Sequence, residues 1–208
     1  MSVGTVCVVL SMAALLQPDD LGAVGTRAHG GAALAMGHRL SQAQPGDRDA
    51  KVIAAFQTSV KDYMTLHRKL EGSLSTTPEG GSPDQVQAHQ RAMERLISES
   101  RSRTKQGSVF TSDVRAYFRR QLSRAFSGPN GRQLRASIMD ENPGAIRVEV
   151  NGRYPDGVPV STVPPQVLLL LPALPDELEY RFIGDRLILL DAHANLVVDY
   201  MERAVPRG

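Results

Sequence analysis

The sequence predicts an α+β fold: an N-terminal antiparallel helical hairpin and one or two further helices, followed by a small antiparallel β-meander module. Two observations indicate this class. In the helices expected between Asp47 and about residue 140, apolar residues recur every three or four positions, the period of a helix that packs on one face. After Pro143 the period changes to two, as in strands with one buried face. With 208 residues, 41% of them hydrophobic, the chain is long enough to bury a core.

The first two helices are predicted to pair as an antiparallel hairpin. The first begins at Asp47 or Asp49 and ends near Gly72. The second begins at 82–85, where a serine cap, a proline and a glutamine form a capping box. Facing residues of the two seams match in consecutive layers, which favours a hairpin over two unrelated helices: Leu70/Val86, His67/His89, Tyr63/Met93, Val60/Leu96, Phe56/Ser100 and Ile53/Arg103.

The remaining elements follow from helix caps, breaks and alternation. A third helix is predicted from Thr111 to Ser127, and a short fourth helix from Asn130 to Met139. Beyond it, Asn151-Gly152 predicts a β-hairpin, and the apolar run after Pro165 predicts one or two buried helical turns. Three strands of a meander are expected within 178–200. These elements define a helical domain over 47–142 and a small α+β module over 143–208.

The first 46 residues are interpreted as a leader or signal-like segment and a flexible tether. The apolar run 3–16 has the length of the apolar region of a signal peptide and is too short to span a bilayer as a helix. No Lys or Arg precedes it, which is atypical of such a signal. We expect export to the periplasm or the medium, with no membrane-spanning segment once the leader is removed. The single cysteine, Cys7, lies in this run, so the mature chain would have no thiol chemistry.

The charges are unevenly distributed although the net charge is only +2. Residues 91–135 have a balance of +8, and residues 140–208 a balance of −5. This asymmetry favours pairing within the chain or with a protein or anionic envelope partner, rather than nucleic acid. The predicted partner-binding residues lie on the third helix: Arg115, Arg119, Arg120 and Arg124. The seam of the hairpin also allows a homodimer.

The C-terminal meander holds four polar residues typical of catalytic or metal sites: Asp185, Asp191, His193 and Asp199. Their spacing places them at successive turns and edges of the sheet, at opposite ends of the strands. A metal requires ligands that converge at about 2 Å. We therefore interpret these residues as turn and strand-end chemistry, not as a site.

The facing histidines of the hairpin are the candidate metal ligands. His67 and His89 share one layer, and Glu71 follows His67 by one helical turn. Two imidazoles with a carboxylate suit a divalent transition metal such as zinc, nickel or copper. The alternative is that both histidines are seam residues without a ligand. No third ligand aligns clearly by helical phase.

The sequence has no catalytic signature of a common enzyme class. It lacks the Gly-x-Ser-x-Gly elbow, the phosphate loop, the dinucleotide fingerprint and the HExxH motif. We therefore predict a non-catalytic exported protein without a cofactor, which binds a partner or supports the cell envelope. The first alternative is a periplasmic metal-binding protein that uses His67 and His89. The second is a hydrolase with an atypical site.

Three stretches resemble a group of uncharacterised exported bacterial proteins: residues 56–74, 110–131 and 138–168. The tail, 174–201, resembles the small β module of RcnB-like nickel/cobalt-homeostasis proteins of the periplasm, through a pattern of Leu-Pro, aromatic, Gly-Asp and aliphatic residues. The first resemblance implies no activity. The second implies a periplasmic setting and no metal ligand.

Overall fold

The structure is a computed structural model that describes residues 45–74, 81–141, 146–158 and 161–206. These residues belong to one compact unit, Gln42–Gly208. They form five helices followed by a three-stranded antiparallel sheet, which confirms the α+β class. The predicted leader lies outside the described residues, except for its last two positions.

The helices come first in the chain and match the predicted order. Helix α3 is capped by the hydroxyl of Thr111, which accepts a hydrogen bond from the backbone N–H of Val114 at 3.4 Å. None of the helices in the described ranges is long and apolar enough to cross a membrane. The observed bounds are Pro45–Glu71 for α1, Pro83–Ser100 for α2, Ser112–Ser127 for α3, Gly131–Asp140 for α4 and Pro165–Leu168 for α5.

The start of α2 has the capping box that the sequence predicts. The Ser82 hydroxyl accepts a hydrogen bond from the backbone N–H of Gln85 at 3.3 Å. In return the side-chain oxygen of Gln85 accepts from the backbone N–H of Ser82 at 2.8 Å. Both contacts satisfy N–H groups that have no partner within the helix, and so they fix its first turn.

Helices α1 and α2 pack against each other, but α2 is rotated relative to the predicted seam. Met93 and Ile97 are buried, whereas Val86 and Ser100, both assigned to that seam, are exposed. The reason is a second neighbour of α2, because the Ser98 hydroxyl donates to the carbonyl of Asn151 at 2.9 Å. The predicted layers include only contacts between α1 and α2, and not this contact of α2 with the segment around Asn151.

The meander is confirmed, with β1 over Leu178–Ile183, β2 over Arg186–Asp191 and β3 over Leu196–Met201. Strand β2 lies in the centre and pairs antiparallel with both neighbours. The turn between β1 and β2 uses Gly184 at φ 61°, a conformation that glycine adopts without steric cost. Asp191, the last residue of β2, lies opposite Leu178 of β1 and Leu196 of β3.

The prediction of a β-hairpin at Asn151-Gly152 is wrong. Within the described residues 146–158, the segments before and after this turn do not pair with each other as strands. The N–H of Asn151 donates to the carbonyl of Val197 at 2.8 Å, and the N–H of Val197 donates to the carbonyl of Gly152 at 2.9 Å. The segment thus pairs with β3, through one isolated bridge between Arg153 and Leu196. Strand β3 is at the sheet edge, where its unpaired backbone groups are available for this contact.

Both faces of the sheet are covered, and the larger core joins the helices to the sheet. Leu187 and Leu189 of β2 belong to this larger core, with residues of α1, α2 and α3. Ile188 and Leu190 point to the other face, into a smaller cluster with Val148 and residues nearby. Strand β2 is therefore buried on both faces. This packing brings α1 against the end of β2, where the candidate site lies.

Candidate metal-binding site

Asp191 is the centre of a buried polar network between α1 and the end of β2. Its side chain has no exposed surface, and one oxygen, Oδ1, accepts from the backbone N–H of Ala194 at 2.8 Å. The other oxygen, Oδ2, accepts from the hydroxyl of Tyr63 at 2.6 Å and bonds to Nδ1 of His67 at 2.7 Å. A buried carboxylate needs such donors because it has lost its contact with water.

His67 has its two ring nitrogens in different situations. Its ring is fully buried, and the bond to Asp191 assigns the proton to Nδ1 in the neutral ring. Nε2 is buried and has no hydrogen-bond partner among the described residues. An unpaired buried nitrogen costs free energy unless it binds something. The neutral ring therefore presents a lone pair at Nε2.

The network also shifts the ionisation of its members. Burial alone would lower the pKa of His67, but the hydrogen bond to Asp191 and the charges of Asp191 and Glu71 raise it above its usual range. Burial alone would raise the pKa of Asp191, but the bonds from His67 and Tyr63 hold it below its usual range. Burial, with the charge of Asp191, raises the pKa of Tyr63, so this hydroxyl stays a donor.

Two more potential ligands lie beside Nε2 of His67. Oε2 of Glu71, one turn later on α1, is 3.6 Å away. Nδ1 of His193, in the turn between β2 and β3, is 3.9 Å from Oε1 of Glu71. Ligand atoms of His67, Glu71 and His193 all lie within 4.8 Å of one another. Tetrahedral ligands at about 2.1 Å from an ion are about 3.4 Å apart, so small side-chain rotations bring this set to one ion.

The half-exposed members of the cluster border a cleft of about 630 Å³. Glu71 and His193 line this cleft, together with Arg68. His89 and Gln90 line it from α2, and the amide of Gln90 donates to the carbonyl of Ala192 at 3.5 Å. The site therefore has a buried side, formed by His67 and Asp191, and an open side toward the cleft.

The structure brings together some of the predicted residues and separates others. His67 lies in the cluster, whereas His89 lines the cleft without joining the three donors. Asp191 and His193, interpreted from the sequence as turn residues only, lie at the site as well as in the turn. The hydrogen bond from the N–H of Ala194 to Asp191 stabilises the turn, and the same carboxylate also forms a hydrogen bond with His67. Glu71 follows His67 by four positions, and this spacing was the one sequence signal for a third ligand.

The other two acids of the meander are not in the cluster. The backbone carbonyl of Asp185 accepts from the N–H groups of Ala204 and Val205, as expected for a turn residue. Asp199 is fully buried, and Oδ2 accepts from the backbone N–H groups of Val109 and Phe110, each at 2.8 Å. Asp199 thus fixes the loop before α3.

The arginines predicted to bind a partner make contacts within the chain. Arg115 donates to the carbonyl of Phe110 at 2.9 Å, and Arg119 donates to the carbonyl of Glu202 at 3.0 Å. Arg120 pairs with Asp49 at 2.5 Å, and Arg124 donates to Gln121 at 3.2 Å. These contacts join α3 to α1 and to the C-terminal segment. A partner on this face stays a prediction.

Comparison with protein-family models, with curated proteins and with solved structures finds no significant match. The functional interpretation therefore rests on the geometry of the site.

Proposed function

We propose that this protein binds a divalent transition-metal ion through Nε2 of His67, the carboxylate of Glu71 and a ring nitrogen of His193. The observation that carries the proposal is the unpaired, buried Nε2 of His67, with two other donors beside it. Two imidazoles and one carboxylate are a donor set that suits zinc, nickel, cobalt or copper. Among the alternatives from the sequence, this is the metal-binding one, with Glu71 and His193 in place of His89.

The role of Asp191 supports a metal in particular. A histidine that binds a metal usually donates its other ring N–H to a carboxylate or carbonyl, which fixes the tautomer and makes the free nitrogen more basic. The contact of 2.7 Å between Asp191 and Nδ1 of His67 is of this kind. Tyr63 and Ala194 in turn hold the carboxylate, so Nε2 is oriented before any ion arrives.

The same geometry favours metal binding over nucleophilic catalysis. A histidine that activates a serine, threonine or cysteine has the hydroxyl or thiol within hydrogen-bond reach of its free nitrogen. Within the described ranges, Nε2 of His67 has no hydrogen-bond partner, and its neighbour at 3.6 Å is a carboxylate. The hydrolase alternative lacks this support.

Isothermal titration of the metal-free full chain with Zn²⁺, Ni²⁺, Co²⁺ and Cu²⁺ tests the proposal. We expect one ion per chain, with a Kd below about 1 μM for at least one metal. His193→Ala removes a ligand, and Glu71→Gln replaces a carboxylate ligand by a weaker, neutral amide, so each should weaken binding at least about tenfold. Both side chains are partly exposed, at 50% and 40%, so both variants should stay folded.

The matched control is His89→Ala, which removes a cleft histidine outside the three-donor cluster. Its affinity should stay within about threefold of the parent chain. A loss as large as that of His193→Ala would make His89 a fourth ligand, as the facing histidines of the sequence suggest. No stoichiometric binding, or binding unchanged in both His193→Ala and Glu71→Gln, would contradict the proposal.

We further propose a periplasmic or secreted location for this binding. The support is the apolar run 3–16 at the start of the sequence, which lies outside the described residues. The expected role is that of a non-catalytic protein that carries or buffers the ion. Fractionation of cells that express the full chain tests the location, and a cytosolic, uncleaved chain would contradict it.

A further inference from the structure

We propose that the open side of the site binds a small α-hydroxy- or α-amino-carboxylate, which chelates the metal and extends into the cleft. This inference rests on the proposed metal site. The shared chemistry is a five-membered chelate made by one carboxylate oxygen and the heteroatom on the adjacent carbon.

The coordination number supplies the first argument. In the described part of the chain, three side chains form the donor cluster, and the cleft lies along two of them, Glu71 and His193. A metal with three protein ligands keeps a position open and can expand to five ligands. One bidentate ligand that enters from the cleft fills both remaining positions.

The size and lining of the cleft supply the second argument. Its volume of about 630 Å³ falls within the range of small-molecule sites, about 300–1,000 Å³, and far exceeds the roughly 30 Å³ of one water molecule. Leu74 and Val86 give it an apolar part, and Val86 is 46% exposed. This part suits an aliphatic tail, while the metal takes the polar end.

Charge supplies the third argument. A divalent ion bound by two neutral imidazoles and the Glu71 carboxylate would carry, with these three ligands, a charge of +1, while the Asp191 carboxylate lies behind the ring of His67 on the buried side of the site. The open side toward the cleft therefore favours an anion as the next ligand. Arg68 lines the same cleft and adds a second positive charge there. Its contact with Glu177 is long, at 3.4 Å, and the Arg68 side chain is 65% exposed. Such a surface pair is weak, so the guanidinium is available to a carboxylate ligand.

The test uses the full chain loaded with Co²⁺, whose visible absorption changes when its coordination number changes. We expect 2-hydroxy-4-methylpentanoate or L-leucine to change the spectrum saturably, with a Kd below about 1 mM. Whichever of the two binds identifies the α-heteroatom. The control ligand, 4-methylpentanoate, has the same tail and carboxylate but cannot chelate, and it should bind at least about tenfold more weakly.

Two neighbouring variants on α1 localise the ligand. Arg68→Gln should weaken the bound carboxylate about fivefold to tenfold, since it removes a charge-assisted contact. Lys69→Gln makes the same change of charge at an exposed residue outside the cleft, and affinity should stay within about twofold. Both variants should still bind Co²⁺ as the parent chain does.

The outcomes separate the two proposals. If Co²⁺ binds but no α-substituted carboxylate changes its spectrum, the ligand inference is overturned and the metal site stands. If the ligand binds equally well to Arg68→Gln and to Lys69→Gln, the assigned place in the cleft is wrong. If none of Co²⁺, Zn²⁺, Ni²⁺ and Cu²⁺ binds to the full chain, both proposals fall together.

Discussion

Asp191 and Asp199 are both fully buried and both belong to the β2–β3 hairpin, yet they differ in what they bind. The carboxylate of Asp199 accepts from backbone N–H groups at Gly107, Val109 and Phe110, at 2.8–3.2 Å. That of Asp191 accepts one backbone N–H, and its Oδ2 is shared by the side chains of Tyr63 and His67.

The difference separates a structural carboxylate from an orienting one. The backbone N–H groups that donate to Asp199 fix the path of the loop before α3, and these hydrogen bonds do not lead on to another functional side chain. At Asp191 the contact continues through the ring of His67 to a nitrogen with no hydrogen-bond partner in the described residues. Glu71, whose carboxylate lies 3.6 Å from that nitrogen, lines the cleft. Burial of an acid alone thus does not indicate a functional site. The identity of its donors does.

The largest expected effect on stability belongs to Asp199→Asn. The amide NH₂ would face backbone N–H groups that now have a carboxylate acceptor, so buried donors would lose their partners. We expect the free energy of unfolding to fall by about 3–5 kcal/mol, as measured by urea denaturation. The control Asp185→Asn, in the β1–β2 turn, should cost less than about 0.5 kcal/mol. A loss of stability in Asp199→Asn as small as that of the control would show that Asp199 does not hold the loop before α3.

Asp191→Asn should reduce both stability and metal affinity. The amide retains an acceptor but loses the charge that holds His67 and Tyr63, and we expect a stability loss of about 2–3 kcal/mol. Metal affinity should fall about 10- to 100-fold, since His67 is no longer held in one tautomer. Titration calorimetry on the folded variant measures the second effect. An unchanged metal affinity would show that Asp191, like Asp199, is a structural carboxylate that does not orient a metal ligand.

Tyr63→Phe removes one donor from Asp191 and keeps the ring that packs against Arg101, 4.9 Å from its centroid. We expect a stability loss of about 1.5–2 kcal/mol, because the lost bond goes to a charged acceptor. The matched variant Tyr180→Phe loses a bond of 3.0 Å to the neutral carbonyl of Pro172 and should cost about 1 kcal/mol. Equal losses would show that the Asp191 contact has no special strength.

The smallest expected effect is a pH dependence of the metal-free protein. The pKa of His67 is raised above its usual 6.5, so protonated His67 stabilises the folded state. This contribution is complete below pH 6.5 and is lost as the pH rises through the folded-state pKa. Urea denaturation of the parent chain and of His67→Gln at several pH values measures it. The opposite trend, with the parent gaining stability relative to the variant above pH 6.5, would contradict the ion pair.

Local chemistry in the sequence was sufficient for most of the fold. The capping box at Ser82 and Gln85, the end of the third helix at Ser127 and the three strands within 178–200 each depend on neighbouring residues, and each was confirmed. The rotation of α2 and the pairing of Asn151 with β3 were not predictable, because each depends on a contact between distant segments.

The sequence by itself determined the helices and the three strands of the meander, their order and the presence of His67 with Glu71 on one helix face. Periodicity, capping and turn chemistry act over a few residues, and they are readable without a fold. Only the tertiary structure decided that Asp191, 124 positions after His67, lies 2.7 Å from its ring. The same packing of α1 on the sheet brings His193 to Glu71, so two turn residues of the meander became parts of a candidate metal site.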